Sequence, residues 1–172
     1  MICQEITLRF ARDDDGDGIA DVIRRVFSLY PGCPFDRSRE FPELDAIASH
    51  MAKLGGQMWV AETKGSVVGC FGIIPTACPR VYELYKVYLL PEARGRGLAA
   101  RMLAGALDFA RAGGAHSVRL WTDTRFIEGH AFYRRNGFVR LPVTRYLADL
   151  ASSWEFAFRR DLVSDASGRN AV

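Results

Sequence analysis

The stretch from Tyr82 to Ala110 constrains the fold of this 172-residue chain more than any other part of the sequence. It begins with aromatic and branched residues that favour a β-strand over Tyr82–Leu89, and Pro91 ends this strand because proline has no amide proton to donate. A turn rich in glycine and arginine follows, and an apolar stripe with helical spacing begins at Leu98. The sequence therefore predicts a strand, a tight turn and an amphipathic helix in direct succession.

The turn Arg94-Gly95-Arg96-Gly97 has the chemistry of a phosphate site. The first amides of a helix lack partners and carry partial positive charge, and glycines let an anion approach them closely. The two arginines add full charges that suit phosphate oxygens. The stretch matches neither standard nucleotide-binding motif, so the residues alone leave two alternatives, a pyrophosphate site or an ordinary solvated turn.

Two segments resemble the GNAT superfamily of acyl-CoA-dependent N-acyltransferases. Residues 94–99, RGRGLA, match the pattern (Arg/Gln)-x-x-Gly-x-(Gly/Ala), and residues 130–138, HAFYRRNGF, are similar to a second segment of these enzymes. The resemblance extends from about residue 6 to residue 162 and is specific for fold and cosubstrate. It leaves open the acceptor, which could be a small amine, an amino acid, an antibiotic or a protein amine.

Length and composition predict one domain over residues 1–163 and a loose tail over residues 164–172. The net charge of +3 gives no reason to expect nucleic acid as a partner, and no apolar run is long enough to cross a membrane. The start of the chain lacks the pattern of a signal peptide, and the cysteines show no metal-ligand spacing. We therefore expect a cytoplasmic protein with reduced thiols, no metal and no membrane partner.

Periodicity predicts an α/β fold with a mixed sheet. The predicted strands cover residues 6–11, 58–62, 67–74, 82–89, 117–121, 138–141 and 154–162. The predicted helices cover residues 19–30, a segment from 42 to the glycines at 55–56, the segment that begins at 98, and residues 126–135. The resemblance adds that the sheet is splayed at its centre, with acyl-CoA entering the gap, and is flanked by helices.

The resemblance also implies a set of cosubstrate contacts for acetyl-CoA. The pantetheine arm would pair with the main chain of Val87 and Leu89, beside a bulge in the central strand. The Leu89 amide would polarise the thioester carbonyl. The pyrophosphate would lie on the turn and the start of the helix, at Arg94, Gly95, Arg96, Gly97, Leu98 and Ala99.

Tyr133 is the predicted general acid, because its place in the second segment is that of a residue that protonates the coenzyme A thiolate. His130 and Phe126 share its helical face, so we expect His130 beside the cosubstrate as well. Core packing is the alternative for both Tyr133 and His130. One departure from the pattern is Phe126, which stands where many members carry an asparagine that contacts pantetheine.

Glu83 is the predicted general base, at a position that some relatives use for this role. Strand alternation predicts that Glu83, Tyr85, Val87 and Leu89 share one face, and a carboxylate in a partly dry cleft can have a raised pKa. A solvated strand-end glutamate is the alternative. Glu155 on the last strand is a second carboxylate candidate.

The predicted acceptor site is formed by Glu83 and by the segment between the first helices, where Tyr30 and Phe35, together with Asp36 and Phe41, could line one wall. Core packing is the alternative for these aromatics. The predicted reaction is direct transfer to a primary amine in a ternary complex, without a covalent enzyme intermediate. Two other functions stay open, a non-catalytic acyl-CoA sensor of the same fold and a nucleic-acid-binding domain, which would require a basic face. The resemblance also makes a homodimer possible, because exposed last strands often pair in this family.

Overall fold

The computed structural model describes residues 5–95 and 97–162. Over these residues the strands form one mixed sheet of seven strands in the order β1-β2-β3-β4-β5-β7-β6. All neighbours pair antiparallel except β4 and β5, which are parallel. The strands are β1 Thr7–Phe10, β2 Gln57–Thr63, β3 Ser66–Pro75, β4 Val81–Leu89, β5 Ser117–Asp123, β6 Val139–Tyr146 and β7 Trp154–Asp161.

The α-helices of the described residues flank this sheet. They are α1 Gly16–Phe27, α2 Arg37–Glu40, α3 Ile47–Lys53, α4 Leu98–Ala112 and α5 Ile127–Arg135. Short 3-10 turns cover Asp13–Asp15, Pro42–Ala46 and Pro91–Ala93. The predicted elements are confirmed in kind and order, apart from α2, which lies where the sequence predicts a connection between helices. None of the helices described combines the length and the apolar character needed to cross a bilayer.

The core consists of two apolar clusters. One packs α4 against the sheet through Phe71, and the other packs α1 and α3 against it around Cys70. Because Cys70 and Phe71 are successive residues of β3, the clusters lie on opposite faces of the sheet. Helix α4 buries the apolar stripe that its periodicity predicts, which consists of Leu98, Met102, Leu103, Ala106, Leu107 and Ala110.

The sheet opens between β4 and β5. These strands pair only from Val81 to Glu83, opposite Ser117 to Arg119. Beyond this point β4 continues to Leu89 and β5 to Asp123 without pairing to each other. The predicted central splay is therefore confirmed, and it leaves one edge of β4 open for a ligand.

A bulge at Lys86 corrects the predicted face of β4. The register with β3 shifts between Tyr85 and Tyr88, and Lys86 has a left-handed φ of 50°. Tyr85 consequently packs in the α1 and α3 cluster, whereas Val87 and Leu89 pack in the α4 cluster. The extra residue breaks the alternation of sides, so the expectation that Tyr85 shares a face with Val87 and Leu89 is wrong.

A helix cap and a change of backbone angles explain two other differences from the predicted boundaries. The carboxylate of Asp36 accepts from the Arg39 amide at 3.1 Å and thereby caps the short helix α2. The predicted helix from residue 42 is split because Ala46 leaves helical geometry, with φ −151° and ψ 61°. The predicted tail over residues 164–172 lies outside the described residues.

Candidate functional site

The turn before α4 presents bare main-chain amides to solvent. Gly97 is the residue that precedes α4, it has φ 69°, and no side chain caps the helix there. Gly95 has φ 80°, and a Cβ built at either glycine would meet no atom within 4 Å. A left-handed, open glycine pair at the start of a 15-residue helix fits an anion on the helix amides. Arg96 lies outside the described residues, so its predicted role stays a prediction.

A cavity of about 450 Å³ extends from this turn along the open edge of β4. The turn contributes Arg94, whose Nε donates to the Leu89 carbonyl at 3.1 Å. The cavity lining joins the turn at Arg94 and Gly95 to Val87 and Leu89 of β4, which are the positions predicted for the pyrophosphate and the pantetheine arm. Its lining includes Tyr30, Val87, Tyr88, Leu89, Arg94, Gly95, Gly97, Leu98, Ala99, Phe126, Glu128, Phe132, Tyr133 and Asn136.

The main chain of Leu89 points into the gap between β4 and β5. The Leu90 amide donates to the Val68 carbonyl of β3 at 2.9 Å. Since successive amides of a strand point to opposite edges, the Leu89 amide lies on the edge that β3 does not use. The position matches the expected role of this amide toward a thioester carbonyl.

A second cavity of about 590 Å³ lies on the other side of the gap. Its walls come from β4, β5, β7, the segment between α1 and α3, and the loop between β6 and β7. The lining includes Phe27, Cys33, Pro34, Arg39, Glu40, Phe41, Lys86, Trp121, Asp123, Arg125, Leu147, Asp149, Leu150, Ser153 and Glu155. Its mixture of aromatic and charged groups suits a polar organic molecule better than an acyl chain.

The two cavities meet at two tyrosines, of which Tyr133 is buried and Tyr88 is partly buried. Tyr88 and Tyr133 line both, together with Val87, Phe126 and Gly129. Burial raises the pKa of both phenols, so each keeps its proton in neutral solution. A group in the first cavity and a group in the second can therefore approach each other beside a protonated hydroxyl.

Glu155 is the carboxylate of the second cavity whose pKa is raised. Burial raises the pKa of Glu155, while the hydrogen bond and charge of Arg145 act in the opposite direction. Arg145 Nε donates to Glu155 Oε2 at 2.6 Å, and the guanidinium lies 4.3 Å from the centre of the Trp121 ring. The pKa of Asp123 differs, because hydrogen bonds from Arg125 lower it against the effect of burial.

Among known families, the acetyltransferase (GNAT) family matches residues 22–138, which is more than half of the chain. This chain belongs to the GNAT family. The predicted family and the prediction of an acyltransferase are thereby confirmed.

Sequence relatives agree with this assignment. The chain is 36% identical over 131 residues to an uncharacterised N-acetyltransferase, YjgM, of Escherichia coli, a match that covers 74% of this chain and 78% of that protein. It is 33% identical over 100 residues to human N-acetyltransferase 8, and here the match covers 56% of this chain but only 44% of that protein.

Solved GNAT structures have the same fold. An acetyltransferase of the GNAT family from Staphylococcus aureus superposes with a TM-score of 0.79 at 20% identity, covering 92% of this chain and 100% of that one. A putative acetyltransferase of Salmonella typhimurium, solved with acetyl-CoA, superposes with a TM-score of 0.71 at 20% identity over 96% of this chain and 99% of that one. At this identity the likeness concerns the fold, and the predicted fold class is confirmed.

The structure separates the two aromatics predicted for the acceptor site of this GNAT chain. Tyr30 lines the first cavity, where its hydroxyl donates to Glu128 at 2.8 Å and its ring lies 4.6 Å from that of Phe126. Phe35 lies behind the wall of the second cavity, stacked at 5.3 Å on Phe41, which does line it. Phe126 fills the place of the usual asparagine with an aromatic wall.

Glu83 does not line either of these two cavities. It lies where β4 still pairs with β5, and its Oε2 accepts from Arg119 Nε at 2.7 Å. The prediction of Glu83 as general base and acceptor contact thus has no geometric support, since the strand separates from β5 only beyond this residue. Glu155 and Asp123 both line the second cavity with Tyr88 and Tyr133, and of these two carboxylates Glu155 is the one whose pKa is raised.

His130 belongs to the core rather than to either cavity. Its Nε2 lies 2.8 Å from the Asp123 carbonyl oxygen, and its ring packs against Phe156 and Phe158. Burial lowers the pKa of His130, so the ring is held neutral. His130 lies on the same helix as Tyr133, but only Tyr133 lines the two cavities. The predicted contact of His130 with the cosubstrate stays a prediction without geometric support.

Lys86 is a cavity residue that the sequence did not indicate. Its ammonium lies 2.5 Å from Glu43 Oε1 and over the rings of Phe41 and Tyr85, with a side chain only 9% exposed. The bulge directs it there, and a bulge at a non-glycine residue leaves no mark in the residue pattern. No group of three or more metal-ligating side chains occurs within residues 5–95 and 97–162.

Proposed function

We propose that this GNAT chain transfers the acetyl group of acetyl-CoA to a primary amine by direct attack in a ternary complex. The observation that carries the proposal is the meeting of two cavities at Val87, Tyr88 and Tyr133, one leading to an anion-binding turn and the other to a polar chamber. The acetyl-CoA complex of a protein with the same fold supports the choice of cosubstrate.

The first cavity is the proposed acetyl-CoA site. The amides at Gly97 and Leu98, with Arg94 beside them, would hold the pyrophosphate. Val87 and Leu89 would pair with the pantetheine arm along the open edge of β4, and the Leu89 amide would donate to the thioester carbonyl. Acetyl-CoA supplies the activated acetyl group, and the chain supplies position and electrostatic stabilisation.

Proton transfer is assigned to two side chains. Glu155 accepts a proton from the ammonium form of the acceptor. Its raised pKa lies closer to neutral pH than that of an ordinary glutamate, which favours this role. Tyr133 donates a proton toward the departing thiolate, which its burial and its place at the junction support. The amine nitrogen forms the new amide bond as the bond from the acetyl carbon to sulfur breaks. The thiolate takes the proton of Tyr133 and leaves as a thiol, and the excess proton of the acylated nitrogen restores the Tyr133 hydroxyl.

Direct transfer is favoured over a cysteine intermediate. Burial raises the pKa of Cys70 to about 12, and it also raises the pKa of Cys33, which lines the acceptor cavity. Both groups are therefore thiols near neutral pH, and the thiolate is the nucleophilic form. The free thiols of Cys33, Cys70 and Cys78 also support a cytoplasmic location, which stays a proposal.

A homodimer is also retained as a proposal. Val139, Tyr146 and Trp154 are exposed large hydrophobic residues on the β6–β7 edge of the sheet. Such an edge can be covered by a second copy.

The test is release of coenzyme A from acetyl-CoA in the presence of a panel of amines. The proposal expects amine-dependent release and a mass increase of one acetyl group on the acceptor. Calorimetric binding of acetyl-CoA without release by any amine would instead support the sensor alternative. A panel of small amines, amino acids and peptides with free amino termini would define the acceptor class.

A further inference from the structure

Arg125 connects separate segments that border the second cavity. Its Nη1 donates to the Gly32 carbonyl at 2.7 Å, in the loop after α1. Its Nη2 donates to Ser153 Oγ at 3.0 Å, in the loop between β6 and β7. Arg125 itself follows the end of β5, so one guanidinium joins two loops to the sheet.

Asp123 fixes the orientation of this guanidinium. The Arg125 Nε donates to Asp123 Oδ1 at 2.9 Å, and Nη2 donates to Oδ2 at 2.6 Å. The Arg125 amide also donates to Oδ1, at 2.8 Å. A two-pronged pair between a planar guanidinium and a carboxylate sets direction as well as distance, which a lysine ammonium could not do.

A second bond links the same two loops independently. The Leu150 amide donates to Glu40 Oε1 at 2.9 Å, and these residues belong to the β6–β7 loop and to α2. Within the β6–β7 loop the Ser153 amide donates to Asp149 Oδ1 at 2.8 Å, which keeps the loop folded on itself. The two segments, residues 31–40 and 147–153, both line the cavity that we assign to the acceptor.

We propose that Arg125 is a positioning residue that holds these two loops at a fixed spacing and thereby determines which amines fit the acceptor cavity. The inference rests on the proposed function. The loops belong to no strand of the sheet, and side-chain hydrogen bonds of Arg125 and Glu40 join one loop to the other. Without the guanidinium the walls separate, acceptors are held less well, and discrimination among amines of different size falls.

The test compares Arg125→Ala, Arg125→Lys and a control, Arg111→Ala, which removes an exposed pair with Asp108 on the surface of α4. Amide hydrogen exchange measures the loops directly, and steady-state kinetics separates the two substrates. We expect faster exchange in residues 31–40 and 147–153 of both Arg125 variants, with α4 unchanged. The acceptor KM should rise on the order of tenfold in Arg125→Ala, since charge-assisted bonds are lost, while the acetyl-CoA KM stays close to that of the parent.

Several outcomes would overturn the inference. Unchanged exchange in both loops would show that Arg125 does not hold them in place. An equal rise in the acceptor KM and the acetyl-CoA KM would show a general loss of structure instead of a role at the acceptor. Parental exchange rates and acceptor KM in Arg125→Lys would show that the positive charge suffices and that the two-pronged guanidinium is not needed. If Arg125→Ala does not fold, Ser153→Ala removes one link alone and should still speed exchange in residues 147–153.

Hydrogen exchange and coenzyme A release together distinguish failure of this inference from failure of the proposed function. If the parent releases no coenzyme A with any amine, the proposed function fails and with it the claim about acceptor choice. The exchange measurement still decides whether Arg125 holds the loops. Parent activity with unchanged acceptor selectivity in Arg125→Ala would overturn the inference and leave the proposed function standing.

Discussion

Arg145 Nε donates a 2.6 Å hydrogen bond to Glu155 Oε2, so the carboxylate proposed to accept the acceptor's proton carries its own cationic partner. Burial raises the pKa of Glu155 and Arg145 lowers it. The bond therefore sets the pH above which the base is ionised. The balance can be moved in a known direction by replacing the arginine.

Arg145→Gln should move the acidic limb of the kcat/KM profile to higher pH. Removing the arginine takes away the hydrogen bond and charge that lower the pKa of Glu155, so the pKa rises and the base is ionised only at higher pH. The measurement is the pH dependence of acetyl transfer. Arg159→Gln is the control, because Arg159 pairs with the exposed Asp161 and should leave the limb in place. A shift to lower pH would contradict the role given to Glu155.

Glu155→Gln and Glu83→Gln should behave differently. Glu155 lines the acceptor cavity, and the first variant should lose about 100-fold in kcat, the scale of a lost general base. Glu83 pairs with Arg119 away from both cavities, and the second variant should keep a kcat near that of the parent. Transfer rates at saturating acetyl-CoA decide between them. The reverse pattern would return the role of base to Glu83.

Tyr133→Phe should lower kcat by about 100-fold with acetyl-CoA affinity retained. The phenylalanine keeps the ring that packs on Phe138 and removes only the proton donor. Calorimetry gives the affinity and single-turnover kinetics gives the rate. Tyr82→Phe is the matched control, since Tyr82 lies in β4 but lines neither cavity. Unchanged turnover in Tyr133→Phe would leave Tyr133 a packing residue.

Lys86 and Glu43 should show strong coupling in stability. Each is largely buried, so removing one leaves an unpaired buried charge, and Glu43→Leu alone should cost about 3 kcal/mol. The double variant Lys86→Met with Glu43→Leu should recover most of that loss, because apolar groups of similar volume can replace a buried pair. Denaturant unfolding of the parent, Glu43→Leu, Lys86→Met and the double variant gives the coupling energy. Additive losses would show that the two charges are separately solvated.

The sequence predicts the sheet and the turn before α4 well, because the signals that specify them are local. Strand alternation, the helical stripe of α4 and the glycines at 95 and 97 are local signals, and each acts within a few residues of where it is read. The family resemblance predicts the splay between β4 and β5, and the short pairing of these strands confirms it.

The acceptor side is not predictable in this way, because it is assembled from distant segments. Lys86 reaches the cavity through a bulge, and Arg125 acts through Gly32 and Ser153, which are far from it in sequence. Glu83 has the residue type of a base but lies before the strands separate. The alternation of β4 predicts which face a residue occupies but not where pairing with β5 ends, and the bulge at Lys86 changes the side of every later residue.

A pyrophosphate site at the start of α4 can be tested by calorimetric measurement of acetyl-CoA affinity for the parent, Gly97→Glu and Gly65→Glu. Both glycines have left-handed φ, 69° and 75°, with open space around a built Cβ, so the backbone strain of the two variants is matched. Only Gly97 precedes α4, whereas Gly65 lies in the turn between β2 and β3. If the pyrophosphate binds at the start of α4, the affinity should be about 100-fold weaker or worse for Gly97→Glu and near-parental for Gly65→Glu. Equal affinities in both variants would contradict a pyrophosphate site at the start of α4.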